Sequence, residues 1–327
     1  MIISRTPFRI SLAGGGTDFP FYYKKYGGKV VGFAIDKYCN IFYRDGNHLM
    51  DYNYRIAYSR IELVKKLNDI QHPSVRNTSK YFHITHPFDL LHNGDLPAKT
   101  GLGSSSSFTV GMCRIYRHLK KIRCSPYLLS NDAIHIEQKL IKESVGSQDQ
   151  IFASFGGFNT IKFGKDGFNV VQHYLSDAKL EQINKSFLLM YTGMTRYAEK
   201  IEKSKIQNIN RNLEYYKKIK SLADSLDSEM KTSKKINLKN VGEILDYGWS
   251  LKRQIGDGVS NSKLDELYKF AKKNGAYGGK ILGAGGGGFY LFIVDEKKVK
   301  NFKKKFSKYQ FIDINVSTKG SQIISCD

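Results

Sequence analysis

Three glycine-rich stretches punctuate the chain, and the middle one constrains its fold most. In "PAKTGLGSSSSFTVG", residues 97–111, two glycines and four serines run directly into Phe108, Met112, Ile115 and Leu119. Those apolar residues recur at steps of four, three and four, the period of a helix with one buried stripe. A loop that becomes a helix leaves the N–H groups of the first turn unpartnered and carries the positive end of the helix dipole. Serine hydroxyls beside such N–H groups make a site for phosphate. A flexible Gly/Ser linker shares the composition but does not lead into periodic helix. The Walker A pattern G-x-x-x-x-G-K-[ST] is absent from the sequence, so the phosphate loop is of another kind.

The first stretch is "RTPFRISLAGGGTDFP", in which "FRISLA" reads as a strand, three glycines permit a tight turn and Thr17-Asp18 supplies hydrogen-bonding groups. A ligand site and a structural turn are both open there. The third, "GGKILGAGGGGFYLFIV", satisfies G-x-G-x-x-G at Gly283, Gly285 and Gly288. The dinucleotide fingerprint needs a helix after it, and "FYLFIV" is a strand, so that match is rejected. A glycine loop that packs against another loop's ligand stays open.

Between these loops the pattern is α+β. Segments 28–44 and 51–59 are rich in β-branched and aromatic residues and flank "DGNH", which predicts a hairpin or a meander. Residues 81–91 add an extended segment, a helix is expected over 131–141 with Ser130 or Asn131 as its cap, and "GGFNTIKFG" returns to strand. After "KSFLLMYTG" comes a lysine-rich helical region over 199–231, then further helices and the strands "GFYLFIV" and "QFIDINVS". The change of pattern near 175–185 divides the 327 residues into domains 1–180 and 181–327.

Several function classes are disfavoured. No run of eighteen apolar residues appears, and "MIISRTPFRISLAGGG" lacks the features of a signal peptide, so a cytoplasmic location without membrane partners is expected. Four cysteines form no C-x-x-C and eight histidines no H-E-x-x-H, which argues against a His/Cys metal site. The formal charge of +22 favours anionic partners. Its lysines are scattered over helical stretches, where a solvated face is the plainer reading, and no nucleic-acid-binding signature accompanies them.

Together and in this order, "TPFRISLAGGGTD", "PAKTGLGSSSS" and "GAGGGGF" resemble the three motifs of the GHMP kinases, ATP-dependent kinases of small molecules. "RISLAGGGTDFP", "IDKY" and "YTGMTR" are most similar to the branch that phosphorylates D-glycero-D-manno-heptose 7-phosphate, with fucokinase-type sugar 1-kinases next. The resemblance implies a two-domain GHMP kinase fold, with an N-terminal domain like ribosomal protein S5 domain 2 and a ferredoxin-like C-terminal domain. It implies ATP and Mg²⁺ as cofactors and a sugar phosphate as substrate; a homodimer is left open, and the alternative of a non-catalytic sensor that binds ATP and sugar is disfavoured by the presence of Arg9, Glu137 and Asp149 together. Gly101, Leu102, Gly103, Ser104, Ser105, Ser106 and Ser107 would wrap the ATP phosphates, and Ser105 and Glu137 match the metal-ligand positions. Asp149, which with Gly146 matches a G-x-x-D segment, would accept the acceptor's proton, and Arg9 would offset charge or hold Asp149 ionised. Gly15, Gly16, Thr17, Asp18, Gly146 and Gly285 would contact substrate, with Thr195 and Arg196 as candidate contacts to its phosphate. Galactokinase-like chains carry Glu-His where this one has Gly15-Gly16, and the loss of two side chains is expected to open room at the sugar end.

Overall fold

The computed structural model describes residues 1–46, 49–194, 211–232 and 234–326. Its organising element is β2 (Gly28–Asp45), whose eighteen residues are too long for one set of neighbours. Over residues 31–43 it pairs antiparallel with β1 (Ile2–Ala13). On its other side residues 28–33 pair with β6 (Phe158–Gly164) and residues 39–45 with β5 (Phe88–Gly94). The sheet continues from β5 to β3 (Tyr54–Ala57) and β4 (Ile61–Val64), and from β6 to β7 (Gly167–His173). The expected hairpin or meander of 28–44 with 51–59 does not form: β5 lies between β2 and β3, antiparallel to one and parallel to the other. Alternation identified the strands, but β5, buried at Phe88 and Leu90, fits the slot beside β2 with an apolar face of its own.

Against this sheet pack α1 (Pro20–Tyr26), α3 (Ser104–Leu119) and α5 (Gln148–Phe155), with α2 (Pro73–Tyr81) and α4 (Pro126–His135) packed on α3. The helix expected over 131–141 starts earlier. Ser125 accepts a hydrogen bond from the Leu128 N–H and Pro126 stands at the first helical position, a stronger start signal than Ser130, which lies inside the helix. At its far end α4 passes into a π-helical turn over residues 136–141.

A second sheet of four antiparallel strands follows α6 (Asp177–Ser186): β8 (Phe187–Tyr191), β9 (Ala276–Ile281), β10 (Phe289–Val294) and the short β11 (Phe311–Ile312), in the order β11-β8-β10-β9. "QFIDINVS" thus yields two strand residues and one isolated bridge, Ile35 with Val316, rather than a full strand. The helices α7 (Leu213–Thr232), α8 (Leu238–Lys252), α9 (Ser262–Lys273) and α10 (Val299–Lys305) complete this half. β12 (Gln322–Cys326) returns to pair with β1 in the first sheet.

Phe33 of β2 stacks on Phe158 of β6 at 5.5 Å and meets the edge of Phe187 of β8 at 6.3 Å, so aromatic packing joins the two sheets. A second tie matters more for the site. The Lys280 ammonium on β9 donates to the carbonyl oxygens of Ser11 and Leu12, 3.0 Å each, and so fixes the second sheet to the strand that enters the first glycine loop. Cys39 and Cys113 are buried and free, and Cys124 is half-buried and free, as packed thiols should be. Among the described residues, no helix is long and apolar enough to cross a membrane.

Candidate active site

Alternation along β1 does the first sorting. Phe8, Ile10 and Leu12 point into the core, which puts Arg9 and Ser11 together on the opposite face. Arg9 is 4% exposed, and all three of its guanidinium nitrogens are engaged. Nε and Nη2 donate to the two carboxylate oxygens of Asp149 at 2.7 and 2.6 Å, and Nη1 donates to the Gly101 carbonyl at 2.6 Å. This planar fork matches a carboxylate better than any lysine could. Asp149 sits in the first turn of α5, where a carboxylate is favoured by the helix dipole, and keeps about a quarter of its side chain exposed.

Facing this pair is the serine loop. Gly103 caps α3 in the left-handed conformation at φ +76°, and a Cβ there would lie 3.4 Å from both Arg9 Nε and Asp149 Oδ2. Glycine suits the left-handed backbone, and a Cβ would also crowd Arg9, whose Cγ would lie 3.2 Å from it. The Ser107 N–H makes the first helical bond, to the Gly103 carbonyl, which leaves the N–H groups before it directed out of the helix. The loop's side chains divide. Leu102 is buried in the core, Ser107 Oγ donates to the Pro7 carbonyl, and Ser106 Oγ donates to Glu137 at 2.9 Å, while Ser105 is exposed and Ser104 half-exposed. The hydroxyl that reaches Glu137 is thus that of Ser106, one residue beyond the expected Ser105.

Glu137 lies in the π-helical turn and is fully buried. Gln150 Nε2 also donates to its Oε2, at 2.5 Å, whereas Oε1 is buried without a hydrogen-bond partner. Burial, with the charge of Glu143 second, pushes this carboxyl up to about 8. An orphaned buried carboxylate oxygen beside a hydroxyl suits a divalent cation that takes few protein ligands and completes its shell with phosphate and water. Among the described residues, no group of three or more His, Cys, Asp or Glu could hold a metal alone.

The first glycine loop closes the other side. Asp18 is 1% exposed, its Oδ1 accepts from the Gly16 N–H at 2.9 Å, and its Oδ2 accepts from the Gln148 N–H at 3.2 Å. Burial, then the charge of Asp149, raises its carboxyl to about 6. Gly146 lies so close that a Cβ there would be 1.9 Å from Asp18 Oδ2. Thr17 Oγ1 donates to the Gly14 carbonyl at 2.8 Å, so Thr17 and Asp18 hold the shape of the loop. The room expected from Gly15-Gly16 is partly taken: a Cβ on Gly16 would lie 3.0 Å from the ring of Tyr216 on α7. A tyrosine some two hundred residues away fills the place of the missing side chain.

The third loop meets the second through Gly288, whose Cβ would lie 2.2 Å from the Thr100 carbonyl at φ +85°. Gly285, the expected contact, packs instead against Val259. Thr195 and Arg196 lie outside the described residues. Ser11, Gln148, Gln150 and Tyr216 join the site without belonging to any of the three glycine-rich motifs' expected contacts. Arg9 and Ser11 sharing a strand face, and Gln148 and Gln150 flanking Asp149, were the signals available for three of them.

Residues 63–157 match the N-terminal domain of the GHMP kinases and residues 230–312 their C-terminal domain. D-glycero-alpha-D-manno-heptose 7-phosphate kinase of Campylobacter jejuni is 31% identical over 94% of each chain. The chain belongs to the GHMP kinase family. As a GHMP kinase it is an ATP-dependent phosphotransferase of the sugar-kinase type, with ATP as donor. The bifunctional fucokinase/GDP-fucose pyrophosphorylase of Arabidopsis thaliana is 25% identical over 68% of this chain and 21% of its own length. The fold is that of a D-glycero-D-manno-heptose 1-phosphate kinase from Bacteroides thetaiotaomicron, with a TM-score of 0.81 over the whole of both chains at 21% identity.

Proposed function

We propose that this GHMP kinase transfers the γ-phosphoryl group of ATP to the anomeric C1 hydroxyl of D-glycero-D-manno-heptose 7-phosphate, giving the 1,7-bisphosphate. The observation that carries the reading is the Arg9–Asp149 pair set against the left-handed cap of the serine loop, in a chain similar over nearly its full length to a heptose 7-phosphate kinase. N–H groups at the start of α3 hold the β- and γ-phosphates, with Ser104 and Ser105 at the open edge. The sugar's C1 oxygen attacks the γ-phosphorus, its proton passes to the Asp149 carboxylate, and the bond to the ADP oxygen breaks. Arg9 fixes the orientation of Asp149 and, through the Gly101 carbonyl, its distance from the phosphate loop. Glu137, with the hydroxyls of Ser105 and Ser106, would hold Mg²⁺, which neutralises charge on the phosphate oxygens. Asp18 and Gly146 shape the acceptor side, and residues 1–180 carry these groups while 181–327 contribute the third loop and Tyr216.

Purified protein assayed with ATP against heptose 7-phosphate, fucose, mannose, galactose and mevalonate should turn over the heptose fastest. Asp149→Ala should abolish turnover. Faster reaction of fucose would establish the second reading, a neutral-sugar 1-kinase, to which the similarity with the fucokinase portion of the Arabidopsis enzyme points. Full activity of Asp149→Ala would overturn the mechanism.

A further inference from the structure

The three glycines of the first loop are not equivalent. A Cβ on Gly14 would lie 1.9 Å from the Lys29 carbonyl, and one on Gly16 would press on Tyr216 from a backbone at φ +102°. Gly15 has neither restriction. Its φ lies outside the left-handed range, and its Cβ would lie 3.5 Å from Ser11 Oγ and 3.7 Å from Gln148 Nε2, ordinary contact distances. A methyl-sized space therefore stands over Gly15, and both side chains that wall it are polar. Ser11 is 6% exposed and its Oγ has no hydrogen-bond partner; the Gln148 Oε1 is likewise buried and unpartnered. Burying such groups unsatisfied costs stability, and a hydroxyl placed over Gly15 would complete the bonding of Ser11.

We propose that Ser11 and Gln148 are specificity-determining residues that hold one hydroxyl of the sugar acceptor over Gly15. A hydroxyl both donates and accepts, so it can donate to Ser11 Oγ and accept from Gln148 Nε2, the amide atom that faces the space. Ser11 shares its strand face with Arg9, and Gln148 precedes Asp149 in the chain, so the hydroxyl is held beside the groups that act on C1. This deepens the sugar-kinase reading and rests on it, but not on which sugar is used.

The test uses full-length protein, calorimetric titration with heptose 7-phosphate, fucose, mannose and galactose, and a separate titration with ADP. Gly15→Ala fills the space without strain. It should leave Tm and ADP affinity unchanged and weaken the best-bound aldose at least tenfold. Ser11→Ala removes an orphaned hydroxyl, so it should hold or raise the Tm of the free protein while weakening the same aldose about fivefold, the worth of one hydrogen bond. A purely structural Ser11 would instead lower Tm and leave aldose affinity alone, and that result overturns the proposal. So does aldose affinity within twofold of wild type in Gly15→Ala, or the absence of binding by any aldose of the set to the wild type. If heptose 7-phosphate is not turned over, yet another aldose loses affinity in both variants, the proposed substrate falls and the role of Ser11 and of the space over Gly15 stands.

Discussion

Replacing Arg9 by lysine keeps the charge and removes the fork. Arg9 makes three short hydrogen bonds, two to Asp149 and one to the Gly101 carbonyl, from a side chain 5% exposed. A lysine ammonium is a point charge on a differently shaped stem and can keep about one of them. Charge-assisted bonds are worth about 1.5–3 kcal/mol each, so two lost bonds amount to about 3–6 kcal/mol before relaxation. Asp149, a quarter exposed, recovers part of this from water, and a net loss of about 2 kcal/mol in unfolding free energy is expected, read from urea melts. In turnover a misaligned Asp149 should cost about a hundredfold in kcat, equivalent to about 2.7 kcal/mol. The decisive measurement is a double-mutant cycle with Asp149→Asn. If the two side chains act as one unit, the double variant should be little slower than Asp149→Asn alone, with a coupling energy of about 2 kcal/mol. Arg9→Lys should also raise the KM for ATP more than Asp149→Asn does, because of the pair it is Arg9 that holds the Gly101 carbonyl. Effects on kcat that add to within about 0.5 kcal/mol would refute the argument that Arg9 works through Asp149.

Two further outcomes follow from the loops. The Asp18 carboxyl titrates near 6 in the folded protein against 3.8 ordinarily, so the native state favours its protonated form. The stability this contributes is complete below about 3.8 and is lost as pH rises through about 6, a change of about 3 kcal/mol. Urea melts at pH 4, 5, 6 and 7 should show wild type losing stability relative to Asp18→Asn across that window, and parallel curves for the two proteins would rule the assignment out. Gly288→Ala would force a Cβ into the Thr100 carbonyl from a left-handed backbone, so it should lower Tm by several degrees and raise the KM for ATP. Gly164→Ala, with nothing within 4 Å of its Cβ, is the control, and equal behaviour of the two variants would show that the contact between the third and second loops is dispensable.

What could be read in advance was whatever a short segment settles by itself. The helix from Ser104 to Leu119 followed from four apolar residues at helical spacing, and the strand after the third loop from the unbroken run "FYLFIV". Arg9 and Asp149 match a known pattern, but their contact joins residues 140 positions apart and becomes visible only when β1 lies beside α5. The misread hairpin has the same origin. Alternation says which face of a strand is buried and leaves open which strand lies beside it, so β5 could enter between β2 and β3 with no change in either one's pattern. Gly15-Gly16 shows the limit most sharply. A pair of absent side chains reads as empty space from the sequence, yet packing closes one half with Tyr216 and leaves the other lined by Ser11 and Gln148. Interiors are close-packed, so a missing side chain predicts a neighbour more readily than a hole. Where space does persist beside a glycine, the chemistry of its walls shows what it is kept for.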